Sequence, residues 1–257
     1  MDHLTPRARA AIDSSGVVVG YKTYLDLVRP LLVGKEVISS GMMQEKHRCT
    51  KAVEVASAGS YVSIVSGGDP GIYGMAGLVF EILSLRSGLQ PCIELEVVPG
   101  VAAINASASR LGAPLMHDFA SISLSDLLTP WEVIAKRLEA ASSADFVIVL
   151  YNPKSKGRTQ QIARARDTVL KYRDGNTPVG IVRNAARDDE TITITTLNKM
   201  LQSLIDMQST VIIGNTQTFQ WGNFMITPRG YMVRDQKRET LELRDEGGDL
   251  TEVKDGI

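Results

Sequence analysis

The stretch Val65–Gly74, VSGGDPGIYG, holds four glycines, a proline and one aspartate in ten residues. A strand-like run, YVSIV (61–65), leads into it, and a helix-like run, MAGLVFEILSLR (75–86), leaves it. Strand, glycine loop and helix in that order form the repeating unit of a parallel α/β sheet, because a parallel partner strand is reached only through a long crossover. At the carboxyl end of such a strand, glycines serve a tight structural turn, a phosphate cradle or a seat for another small cofactor. The phosphate reading fits least, since no Gly-Lys-Ser/Thr follows and the spacing is not G-x-G-x-x-G.

Working outward, apolar strand-like runs alternate with amphipathic helical runs along most of the chain, which predicts mostly parallel sheets. Thr5 and Pro6 read as the cap and first residue of a helix reaching about Ser14. GVVVGY (16–21) reads as a buried strand and EKHRCTKAVEVASA (45–58) as a helix. IELEVVPG (93–100), FASISL (119–124), DFVIVLYNP (145–153), PVGIVRNA (178–185) and STVIIGNT (209–216) read as strands, and TITITTL (191–197) as a half-exposed one by its period of two. RLGAPLMHD (110–118) breaks the rhythm and sets the expected boundary between domains at 1–112 and 113–233. From Arg234 the residues are densely charged with little to bury, which predicts a mobile tail over 234–257.

With 257 residues, a net charge of −1 and 44% hydrophobic content, the composition is that of a globular protein with one large or two small domains. Near-neutral charge predicts no nucleic-acid partner. No apolar run approaches the ~20 residues of a membrane span, and the amino terminus carries no secretory pattern, so a cytoplasmic location is expected. Cys49 and Cys92 stand far apart, and His3, His47 and His117 are equally scattered, so neither a disulfide framework nor a protein-held metal is expected.

Ligands of open α/β sheets bind beyond the carboxyl ends of strands. Those ends here are SGGDPGIYG (66–74), VVPGVAAINAS (97–107), LYNPKSKGR (150–158), VRNAARDDE (182–190) and IIGNTQT (212–218), rich in small and amide residues and sparing in charge. Asp69 beside a helix start suits a ribose diol or an ammonium, or else caps the helix. Arg183, Asn184 and Asn215 are ligand contacts or turn-formers. KSKGR (154–158) is a carboxylate-binding patch or solvated surface. No arrangement of Ser, His, Asp or Cys asks for covalent catalysis.

Together these segments resemble the tetrapyrrole (corrin/porphyrin) methyltransferases, and within them the precorrin-3B C-17 methyltransferase branch. The carrying stretches are LTPRARAAI (4–12), VVVGYKTYLDLVRPL (17–31), SGGDPGIYGMAGLVFE (66–81), VVPGVAAINASASRLGAPLMHDFASISLSDLLTPWEVI (97–134), IVRNAARDDE (181–190) and VIIGNTQTFQWGNFMITPRGY (211–231). The resemblance implies two α/β domains with a cleft between them that takes S-adenosylmethionine. It places Gly67, Gly68, Asp69, Ile72, Ala102, Ala103, Tyr151 or Asn152, and Ala185 at the cofactor. It implies a polycarboxylate macrocycle as substrate, a precorrin with or without cobalt, methylated at C-17 as the ring contracts, and a homodimer. Tyr21 falls where relatives carry a residue suspected of handling a proton, and Lys22 and Lys35 are candidates for the substrate carboxylates. A binding protein that keeps the site without turnover, or a methyltransferase of this fold acting on another substrate such as a protein, are the competing readings. Family members begin with a strand and a Gly-Pro-Gly loop just before the helix at LTPRARAAI. The sequence starts at Met1, so a first domain one strand short, with an open sheet edge, is expected.

Overall fold

The computed structural model describes residues 1–86 and 93–231. Cys92 and the expected tail at 234–257 lie outside the described residues. The chain divides into two compact units, one of Met1–Arg110 with Val182–Thr191, the other of Leu111–Ile181 with Ile192 onward. Contiguous domains do not foresee that the ten residues from Val182 to Thr191 group with the first unit.

The first unit is built on β1 (Val17–Tyr21), with β2 (Glu36–Ser40) and β3 (Val62–Val65) parallel on either side of it. Strand alternation sends Val18 to one face and Val17 and Val19 to the other. Val18 packs with Ile12 of α1 (Pro6–Ser14) and Leu25 of α2 (Lys22–Leu27), whereas Val17 and Val19 meet Ala52 of α3 (Glu45–Ser57). Helices on both faces explain why β1 is apolar at nearly every position. Helix α1 starts where its sequence says it should: the Thr5 side chain accepts from the Ala8 N–H, and Pro6 follows at the first helical position. Met75, Val79 and Ile82 around α4 (Ala76–Ser84) pack on Cys49 and Val53 of α3. Burial pushes the Cys49 thiol up, so it is a packing residue and a poor nucleophile.

The second unit centres on a five-stranded sheet. Its order runs from β5 (Phe119–Ser123) through β6 (Val147–Tyr151), β9 (Ser209–Ile213) and β7 (Pro178–Arg183) to β8 (Thr191–Thr196). β5 and β6 are parallel, while β6 and β9 are antiparallel, so the sheet is mixed. Leu138 of α6 (Trp131–Ser143) and Ala165 of α7 (Gln161–Val169) join Ile148, Leu150, Val211 and Ile213 in its core. α5 (Ala103–Leu111) leads into a smaller sheet of β4 (Gly112–Ala113), β10 (Phe219–Trp221) and β11 (Phe224–Ile226). Among the described residues, no helix is long and apolar enough to cross a membrane.

One strand expectation needs correction. Residues 93–100, expected as a strand, carry no ladder pairing, and β3 is left at the edge of its sheet. A groove of about 620 Å³ separates the two, lined by Tyr61–Ser66 on one side and Ile93–Gly100 on the other, with Ala8 and Ala11 of α1 and Val53 and Ala56 of α3 across its width. The alternation in IELEVV is genuine, but a strand needs a partner backbone within about 4.8 Å, and among the described residues none pairs with it. Side chains hold the segment instead. Arg7 grips Glu96 through both carboxylate oxygens, at 2.8 and 2.5 Å, and Thr5 Oγ1 donates to the Pro99 carbonyl at 3.3 Å.

The Arg7 hydrogen bond holds the Glu96 carboxyl below its ordinary 4.5. A depressed folded-state pKa means the contact is present above 4.5 and lost as pH falls through the depressed value. Glu96→Gln is therefore expected to speed amide hydrogen exchange over residues 93–99 at neutral pH. The difference from wild type should vanish in acid, once the native carboxyl is protonated. Equal exchange of the two proteins at pH 7 would contradict this anchoring.

Candidate functional site

In the first unit, the glycine loop after β3 folds against the Pro99–Ala103 turn. Asp69 joins them: Oδ1 accepts from the Gly71 N–H at 2.8 Å, and Oδ2 accepts from the Gly100 N–H at 3.0 Å. Both carboxylate oxygens thus serve backbone donors. Gly68, at φ +79°, lies over the turn, with the Ala102 Cα and Ala103 N at 3.7 Å from where its Cβ would stand. A Cβ on Gly100 would sit 2.3 Å from the Gly68 carbonyl oxygen, so this approach admits no side chain. Gly67, Gly68, Asp69, Ala102 and Ala103 are brought together here. Ile72, further round the loop, is 42% exposed and free to cover a ligand.

Tyr21 ends β1 beside this loop. Its ring meets the Tyr24 ring edge-on at 5.3 Å between centroids, and Tyr24 in turn fills the space over Gly67. Arg48 was not legible as a site residue, because it sits in a helical run where charges alternate with apolar positions. It is nevertheless buried, with its guanidinium 5.9 Å over the Tyr21 ring. Arg48 donates to Ser40 Oγ at 2.5 Å, to the Gly41 carbonyl and Glu45 at 3.2 Å, and to Met75 Sδ. One buried cation therefore ties the carboxyl ends of β1 and β2 to the start of α4.

The loop after β7 belongs to the same unit. Asn184 and Ala186 adopt φ of 51° and 61°, with Ala185 between them. Asn184 is buried; its Nδ2 donates to Asp189 at 2.6 Å, while its Oδ1 is enclosed without a partner. An enclosed acceptor without a donor is costly. Glu190, unnoticed in the sequence, accepts from the Ala186 N–H and pairs with Arg110 at the end of α5.

In the second unit, Asn152 follows Tyr151 at the carboxyl end of β6, at φ 50°. Its Nδ2 donates to Ser123 Oγ at 2.9 Å, and buried Arg158 donates to its carbonyl at 2.9 Å. The KSKGR stretch is thus anchored by its arginine and closed by paired backbone bonds between Ser155 and Arg158, while Lys156 points outward.

The two lysines part company. Lys22 is exposed directly after Tyr21. The Lys35 ammonium donates to the carbonyls of Asp13 and Ser15 at 2.8 and 2.7 Å, completing the carboxyl end of α1. Five residues, 16–20, separate Ser15 from Tyr21 in extended chain at about 3.3 Å each, so Lys35 stands at the wrong end of the sheet for a substrate contact. Among the described residues, no group of three His, Cys, Asp or Glu is placed to hold a metal.

A family model for the tetrapyrrole (corrin/porphyrin) methylases matches residues 1–201. The chain is 52% identical to a cobalt-factor III methyltransferase of Priestia megaterium over 93% of its own length, which is 44% of that relative. It is 50% identical to a probable cobalt-factor III C(17)-methyltransferase of Salmonella typhimurium, over 90% of this chain and 94% of that one. The crystal structure of the methyltransferase CobJ superposes with a TM-score of 0.83 at 33% identity, covering 88% of this chain and 94% of that one. A uroporphyrin-III C-methyltransferase of Thermus thermophilus complexed with S-adenyl homocysteine shares the fold, with a TM-score of 0.62 at 22% identity over 83% of this chain and 91% of that one.

Asp69→Ala strips an ionised acceptor from two N–H groups and is expected to cost about 1–3 kcal/mol of stability. Gly100→Ala should lower affinity for S-adenosylhomocysteine by at least about tenfold, because the two turns must part to admit a methyl group. Thermal unfolding and isothermal titration check the pair. Wild-type melting in the first and wild-type affinity in the second would refute the joined-loop geometry.

Proposed function

Because the chain belongs to the tetrapyrrole methylase family, in its C-17 methyltransferase branch, we propose that it transfers a methyl group from S-adenosylmethionine to C-17 of cobalt-factor III, or of precorrin-3B, as the ring contracts. The observation that carries the reading is the pair of turns joined by Asp69, where uncharged backbone is bared for a ligand. S-adenosylmethionine offers an adenine face, a diol and an amine and has no phosphate, so loops without a lysine cradle suit it. Gly67, Gly68, Ile72, Ala102, Ala103 and Ala185 are the proposed cofactor contacts. Asp69 acts mainly by holding the turns. Tyr151 and Asn152 stand as further candidate contacts.

The bound donor supplies an activated methyl group on a sulfonium whose departure needs no acid. What remains for the chain is alignment, which contributes up to about 7–11 kcal/mol where geometry is fixed. The small residues at Gly68 and Ala102 let backbone close on the donor and exclude water. Contraction, unlike methylation, requires a proton to move, and Tyr21 Oη is the proposed group. Its ring is held by Tyr24 on one side and Arg48 on the other. Lys22 is placed to meet a substrate carboxylate, and a cytoplasmic homodimer is the proposed setting.

Incubation with methyl-labelled S-adenosylmethionine and cobalt-factor III, followed by mass analysis, is expected to give a product with one added methyl group and a contracted ring. Binding of the donor without label transfer to either macrocycle would leave a binding protein instead. Tyr21→Phe should slow contraction about 10²-fold while methylation persists. Unchanged yields of both steps would remove Tyr21 from the mechanism.

A further inference from the structure

The acidic pair Asp189–Glu190 closes the loop that carries Ala185, and the loop is costly as built. Two residues with a Cβ, Asn184 and Ala186, hold positive φ within three positions. Asparagine tolerates that region because its side chain bonds locally, but alanine has no such help. Something must hold Ala186 there. Glu190 Oε2 accepts from the Ala186 N–H at 2.5 Å, and the same carboxylate pairs with Arg110 Nε at 3.0 Å. The Glu190 side chain is 17% exposed, so this is a partly desolvated, charge-assisted contact. Asp189 does the parallel work one residue earlier, accepting from Asn184 Nδ2 at 2.6 Å and Arg183 Nη1 at 3.4 Å. Arg110 lies in the last turn of α5, the helix whose first turn begins at Ala103 by the glycine loop.

We infer that Glu190 is a positioning residue: by anchoring the strained Ala186 N–H to the end of α5, it fixes the backbone of Ala185 for the methyl donor. This rests on the cofactor reading given above. It adds a distinct element, because Glu190 itself meets no ligand and acts through another residue's peptide. The Arg110 half of the contact is more exposed, 46% on its side chain, and contributes less.

S-adenosylhomocysteine affinity, amide hydrogen exchange and steady-state kinetics on the whole chain test the assignment. Glu190→Ala is expected to weaken binding about 10- to 100-fold, the worth of a lost hydrogen bond to a charged group. The loss should appear in Kd and KM for the donor rather than in kcat, with faster exchange confined to residues 184–187. Arg110→Ala should weaken binding by no more than about threefold. Adding Ala186→Gly to Glu190→Ala should restore most of the affinity, because glycine adopts φ near 61° without a partner. A purely structural role predicts a lower Tm with unchanged Kd and no rescue by glycine, and either result overturns the inference. If wild-type protein itself fails to bind S-adenosylhomocysteine, the cofactor reading falls and this one with it. If wild type binds and Glu190→Ala binds equally well, only this one falls.

Discussion

Two hydrogen bonds from one carboxylate set the geometry of this protein's first unit. Asp69 reaches the Gly71 N–H within its own loop and the Gly100 N–H on another, thirty-one positions along the chain. Without that bridge, two short turns that bury little apolar surface would have no reason to stay together, since ordering each residue costs roughly 1–2 kcal/mol. With it, Gly100 comes so close to the Gly68 carbonyl that it could carry no side chain, while Gly68 is kept a glycine by its φ of +79°. The bare backbone that results is the physical basis for proposing a phosphate-free nucleoside as the ligand.

The same logic recurs nearby. Arg48, Asp189 and Glu190 are charged groups whose hydrogen bonds run to other parts of the chain. Arg48 fixes strand ends from within the unit, and the acidic pair fixes a loop whose dihedral angles are unfavourable. Fixed loops of this kind suit the proposed methyl transfer, in which alignment is the chain's main contribution. The proton step assigned to Tyr21 is the one place where a titratable group is asked to act.

Much of this could be read from residue order. VVVGY is apolar on both faces because helices cover both, and Thr5-Pro6 starts its helix at the expected residue. The glycine loop was recognisable by composition and by its place after a strand. Other elements left little trace. β2, with Glu36, Ser39 and Ser40, exposes much of one face and lacks the apolar signal of its neighbours. IELEVVPG carries a strand's alternation but has no ladder partner, and pairing is a property of two segments rather than one. Lys35 looked like a free cation because nothing local shows that it reaches back twenty residues to Ser15. Arg110 and Glu190 meet across eighty residues, which no window of sequence displays.

The most direct test is backbone amide chemical-shift mapping as S-adenosylhomocysteine is titrated into the protein. The account predicts the largest shifts at Gly67–Ile72 and Gly100–Ala103, with a second set at Asn184–Ala186. Shifts that spare both turns and gather instead along the groove between β3 and Ile93–Val98 would contradict it.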